Sequence, residues 1–157
     1  MKDKKQHKWR NQLLLFILFP FLIVLLPCIL IAYLVTKILI YLSVWVFWST
    51  RGIRLLYVYS NSPNWQEHIE KEVLPRLPEG KIVINWSERT RWKRLGLPSI
   101  VFHHFGGSRE FNPMAVIVRP FQRAQVFRFY QAFKDFKHGK EEPLSKLESE
   151  FFEALET

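Results

Sequence analysis

Residues 13–48 read LLLFILFPFLIVLLPCILIAYLVTKILIYLSVWVFW. Of these 36 residues, 31 are hydrophobic, and the single charge is Lys37. A helix crosses the hydrocarbon core of a bilayer with about 20 apolar residues, so this stretch makes the chain a membrane protein. It is also too long for that task. As one helix it would run roughly 54 Å at 1.5 Å per residue, far more than one span requires.

Two arrangements fit within a membrane segment at 12–50. In the first, residues 12–36 span and the remainder forms an interfacial helix. In the second, the chain reverses near Pro27-Cys28 or Thr36-Lys37 as a hairpin, with both ends on one side. The N-terminal tail, 1–11, carries Lys2, Lys4, Lys5, Lys8 and Arg10 against Asp3, with Trp9 at the interface. The positive-inside rule places it in the cytoplasm. The far flank, with Trp45, Trp48, Arg51 and Arg54, is also basic and aromatic, which favours the hairpin and a cytoplasmic domain. Each hairpin arm, however, would hold only about 16–18 residues, at the lower limit for spanning. The apolar core is more than twice the usual 7–15 residues of a signal peptide, and no small-residue cleavage site follows it.

Outward from this segment, the rest of the 157 residues suits one small domain at 51–140 and an acidic, amphipathic C-terminal helix at 141–157. The net charge of +9 sits on the tail and the body, while the last segment is acidic. Such a balance favours an anionic neighbour. The one cysteine, Cys28, lies in the apolar stretch, so an intramolecular disulfide, a Cys-rich zinc site and a dithiol redox pair are all excluded.

Leu55-Leu56-Tyr57-Val58-Tyr59 reads as a buried strand. Ser62 then caps a helix with Pro63 in its first turn and Trp65, Ile69 and Val73 on one face, ending by Leu74 before Pro75. Lys81-Ile82-Val83-Ile84-Asn85 is a second strand. Ser87 caps a short helix over 88–95, and Pro98-Ser99-Ile100-Val101-Phe102 begins a third strand. Strands at 115–118 and 126–130 form a hairpin, 137–140 is a linker, and the last helix, from Pro143, aligns Leu144, Leu147, Phe151 and Leu155. The predicted order is β-α-β-α-β-β-β-α, an α/β domain with parallel strands followed by antiparallel ones.

Tyr59-Ser60-Asn61-Ser62-Pro63 resembles the strand-to-helix entry of glutaredoxins, where the redox cysteines open the first helix. Leu97-Pro98-Ser99-Ile100-Val101-Phe102, followed by Gly106-Gly107, is similar to that fold's cis-proline strand and turn. The resemblance implies a thioredoxin-like fold. The cysteine positions fall near Ser62 and Trp65, so it implies no redox chemistry, and the fifth strand is surplus to it.

Three clusters are candidate sites. Ser60, Asn61 and Ser62 lie at a strand's carboxyl end and a helix N-terminus, where anions bind, with Arg109 as a further contributor. A plain capped turn explains the same three residues. His103-His104 with Arg109 and Glu110 is the most polar group, and His104 and Glu110 are the candidates for acid–base catalysis. Adjacent strand residues face opposite ways, so the two histidines do not share a metal, and no metal site or cofactor is expected. Arg89, Arg91, Lys93 and Arg94, interleaved with Trp86 and Trp92, and Lys134 and Lys137 beside Phe133 and Phe136 suit a membrane or other anionic surface. No nucleic-acid module accompanies them.

The sequence therefore points first to a membrane-anchored, non-catalytic accessory or scaffold domain at the bilayer surface, with the lipid bilayer and a membrane protein as partners. A membrane-bound enzyme on a phosphorylated or lipid-linked substrate is the alternative, and a redox-dead thioredoxin-like binding module is the second alternative.

Overall fold

A computed structural model describes residues 2–93, 96–109 and 111–156, with side chains from residue 21 onward. The chain divides into two compact units, Met1–Leu39 and Ile40–Thr157.

The apolar stretch lies in one helix, α1 (Lys2–Ser49). The hairpin is not formed: Pro27-Cys28 and Thr36-Lys37 both lie inside the helix, and the chain does not reverse there. Pro27 removes one backbone donor, which a membrane helix tolerates when local groups take up the freed carbonyl. At the other expected turn, the Thr36 hydroxyl donates back to the Ala32 carbonyl (2.8 Å) and the Lys37 ammonium sits 4.7 Å from the centre of the Tyr33 ring. Phe21–Ser49 is long and apolar enough to cross a membrane. None of its most apolar window is buried, unlike the core helix of a soluble protein.

The second unit begins with the last turns of α1. After Gly52, which takes φ +67 where a side chain would be strained, the chain enters β1 (Leu55–Tyr59). Next comes α2, a helical segment that is α at Gln66–His68, π at Ile69–Val73 and 3-10 at Leu74–Arg76. It is followed by β2 (Lys81–Asn85), a 3-10 turn at Trp86–Arg91, α3 (Leu97–Gly106), β3 (Met114–Ile117), β4 (Gln125–Arg128), α4 (Tyr130–Lys137) and α5 (Glu142–Glu156). The sheet order is β2-β1-β3-β4. β2 runs parallel to β1, β3 antiparallel to β1 and β4 antiparallel to β3, with Leu55 opposite both Lys81 and Ile117.

Two segments depart from the sequence reading. Residues 98–102 are helical rather than a third strand, so the sheet has four strands. The β-branched Ile100-Val101 pair suggests a strand, but Leu97, Val101 and Phe105 recur at helical spacing and pack on the sheet. Pro98 occupies the first turn and Gly107, at φ +74, stops the helix. The proline likeness placed at Pro98 therefore falls on a helix; the cis peptide is Asn112-Pro113. The second departure is α4, which occupies residues read as a strand end and a basic segment. Its register puts Phe129, Ala132 and Phe133 into the core. The helix expected over 88–95 is a 3-10 turn whose cap is Asn85, accepting from the Ser87 amide, and its predicted end at residues 94 and 95 lies outside the described residues.

Alternation along β1 divides the core in two. Leu55, Tyr57 and Tyr59 face α2, α4 and α5, packing with Ile69, Val73, Phe133 and Phe151. Leu56 and Val58 face the other way, onto Val101 and Phe102 of α3 and onto Val44 and Trp48 of α1. Those two α1 side chains are 2% and 3% exposed. Their four-residue spacing, continued upstream by half-buried Ile40, lays one stripe of the helix end against the sheet. The surplus length of the apolar stretch is thereby explained: residues 13–39 alone run about 40 Å, enough for one tilted span.

Candidate binding cleft at the carboxyl edge

Strand direction sorts the candidate residues. α1 enters at the amino end of β1, so Ser60, Asn61 and Ser62 lie at the opposite end of the sheet. The turn is held by its own side chains. The Trp65 indole N–H donates to Ser60 Oγ (3.2 Å), the Asn61 amide donates to Ser87 Oγ (3.0 Å), and Asn85 Nδ2 donates to Asn61 Oδ1. Ser62 accepts from the Asn64 amide, and its carbonyl accepts from Gln66, so it does begin the helical path although regular α geometry starts later.

The histidine group does not converge with this turn. On α3, His103 is exposed and the His104 ring meets Tyr41 edge-on at 6.2 Å. Arg109 is exposed, and Glu110 lies outside the described residues. None of the cavities described is lined by both residues 60–63 and residues 103–109. Among the described residues, no three His, Cys, Asp or Glu side chains gather as a metal would need.

The carboxyl edge holds an aromatic cleft instead. A hollow of about 210 Å³ is lined by Trp65, Trp86, Phe111, Asn112 and Tyr130. A second, of about 260 Å³, shares Trp65 and Tyr130 and adds Asn64, Lys134, Lys137 and His138. Trp65 and Tyr130 meet edge-on at 6.0 Å, and Trp86 and Phe111 at 4.9 Å. Arg89 lies over the Trp86 ring at 5.0 Å. The two basic segments singled out in the sequence thus flank one aromatic surface: Arg89 on one side, Lys134 and Lys137 on the other. Arg91 and Lys93 are exposed next to Arg89, and Arg94 lies outside the described residues. Asn112 lines the first hollow, and its Oδ1 is buried with no hydrogen-bond partner among the described residues. A buried acceptor left in that state costs free energy that a donor would relieve. Sequence reasoning missed Phe111, Asn112 and Tyr130, which come from separate segments joined only by the sheet order.

Two tyrosines of β1 have their ionisation disfavoured. Burial, and secondarily the Glu148 charge, raises Tyr57 far above the ordinary tyrosine range. Burial also raises Tyr59, helped by the hydrogen bond it donates to Glu70 (3.1 Å).

A further hollow, about 410 Å³, lies at the other end of the sheet beside Phe47, Arg51, Ile53 and Pro98. Comparison with protein-family models, curated proteins and solved structures finds no match to this chain.

Proposed function

We propose that this chain is a membrane-anchored, non-catalytic accessory protein whose domain holds a partner segment at the bilayer surface. The observation that carries the reading is the burial of Val44 and Trp48. A domain tethered by a loose linker would leave the helix end free. Here the end of the membrane helix is core, so the domain works where that helix leaves the bilayer. On this reading the tail, with five basic residues against Arg51 and Arg54 at the far flank, is cytoplasmic. A single crossing then puts the domain on the opposite face, rather than in the cytoplasm as a hairpin would have it. A C-terminal reporter active only outside the cytoplasm is the expected result.

The carboxyl-edge cleft supports a finer form of the proposal: a redox-dead thioredoxin-like module. A parallel β-α-β unit followed by an antiparallel hairpin, in the order β2-β1-β3-β4, suits that fold. The cleft would take an acidic segment carrying an aromatic or large apolar side chain, between the rings and the Arg89, Lys134 and Lys137 cations. A photocrosslinking residue at Tyr130 of the full chain, in its native membrane, tests it. One discrete crosslinked polypeptide is expected from Tyr130 and none from Lys140, with the yield falling severalfold when Lys134 and Lys137 become Glu. Crosslinking from both positions alike, or from neither, would refute the binding role. Loss of cellular function on changing His103 and His104 to Ala, with the fold intact, would favour the enzyme reading instead.

A further inference from the structure

The end of the sheet nearest α1 carries an exposed group that the carboxyl-edge reading leaves unused. The β3–β4 loop, residues 118–124, is tied to the start of β1 by the Val118 amide donating to the Arg54 carbonyl (2.9 Å). At its tip Phe121 is 91% exposed, the most exposed large hydrophobic side chain described. Its φ of +58 lies in the left-handed region that a bulky residue rarely adopts, and the conformation directs the ring outward rather than into the nearby core. The ring meets Trp45 of α1, 4.7 Å between centroids. Leu42 and Val46, each within about 100° of Trp45 around the helix, are also exposed, so apolar surface adjoins the ring pair on the helix side. Arg54, whose carbonyl holds the loop, and Arg123, two residues beyond Phe121, are exposed. Arg119 is committed elsewhere, to the Ala154 carbonyl and Gln125.

We propose that this loop is a second membrane contact: Phe121 seats beside Trp45 at the headgroup–acyl boundary of the bilayer that α1 enters, and Arg123 and Arg54 meet lipid phosphates. A bilayer is the fitting occupant because the patch continues the surface of a membrane helix, with aromatic rings inside and arginines at the rim, the interfacial arrangement of anchored proteins. The buried end of α1 fixes the domain to the helix end, but a single helix leaves its rotation and tilt in the bilayer open. A helix and a loop together fix its tilt and turn the carboxyl edge away from lipid, whatever that edge binds.

The test uses the full chain with Cys28→Ser, reconstituted in phosphatidylcholine–phosphatidylglycerol vesicles. A single cysteine carrying an environment-sensitive fluorophore is placed at Gln122 or, as a distal reference, at Asn64. The label at 122 should be quenched by lipids bearing a shallow nitroxide and shielded from aqueous iodide, and the label at 64 should show the reverse. Phe121→Ser, a change at an exposed position that leaves the core intact, should raise iodide quenching at 122 severalfold. Equal iodide access at 122 and 64 would overturn the proposal. So would shielding at 122 that nitroxide lipid does not report and that vanishes on dilution of the protein among vesicles, which would mark a contact between copies.

Discussion

The two faces of the sheet are built from different sources. One face is covered by α2, α4 and α5, all from the domain's own chain, and its centre is a cluster of rings in which Phe151 meets Tyr57, Phe127 and Phe129. The other is covered by α3 and by the end of α1, and without that end Leu56, Val58 and Val116 would lose Val44 and Trp48. Each large apolar side chain buried is worth roughly 1.5–3 kcal/mol, so the second face draws several kcal/mol from residues that composition assigns to the membrane. The last turns of α1, from Ile40, are therefore part of the fold, and within those turns burial goes by face: Val44 and Trp48 are buried while Leu42, Val46 and Phe47 are exposed.

This comparison can be broken first at its centres. Phe151→Ala and Trp48→Ala should each cost about 3–5 kcal/mol, the usual range for emptying a buried aromatic site, read from unfolding in detergent. Trp45→Ala, which removes a half-buried ring resting on an exposed one, should cost far less. If Trp48→Ala costs no more than Trp45→Ala, the two faces are not equivalent parts of one core.

The junction where the helix end meets the sheet comes next. A Cβ on Gly80 would run into the Gly52 carbonyl oxygen, a backbone atom with little room to move. Gly80→Ala should cost about 1–3 kcal/mol, as for other overpacked sites. Gly52→Ala meets no neighbour but must hold φ +67, for which about 1 kcal/mol is expected. Melting temperatures should fall in that order.

Much of this organisation was legible in the sequence. The run Leu55 to Tyr59, the stripe of Ile69 and Val73, the 115–128 hairpin and the Leu144–Phe151 face all announce themselves by period, because each buries one side in a regular element. The α3 segment did not, since Ile100-Val101 carries strand propensity that packing on the sheet overrides. The division of α1 was hidden for a different reason: lipid and a protein core select the same apolar residues, so composition cannot tell Val44 from Val46. The cleft was half visible. Its basic residues and Trp65 stood out, but Phe111, Asn112 and Tyr130 reach it only through the sheet order.

The smallest effect expected is at Tyr57. Its hydroxyl is buried without a partner among the described residues, so Tyr57→Phe should be neutral or stabilising by up to about 1 kcal/mol at neutral pH. The alkaline limb sharpens this. The folded group titrates above its ordinary value because burial disfavours the phenolate. The unfolded group ionises first, so stability is full below about pH 10 and falls as pH rises beyond it. In Tyr57→Phe that fall should be shallower, as pH titration of the unfolding midpoint would show.

The central claim, that the end of the membrane helix is core to the domain, is tested most directly by amide hydrogen exchange on the full chain in lipid nanodiscs, comparing the native protein with Trp48→Ala. The account predicts that β1 and β3 lose protection together with the last turns of α1, as one cooperative unit. Strands that exchange as slowly in the variant as in the native protein would contradict it.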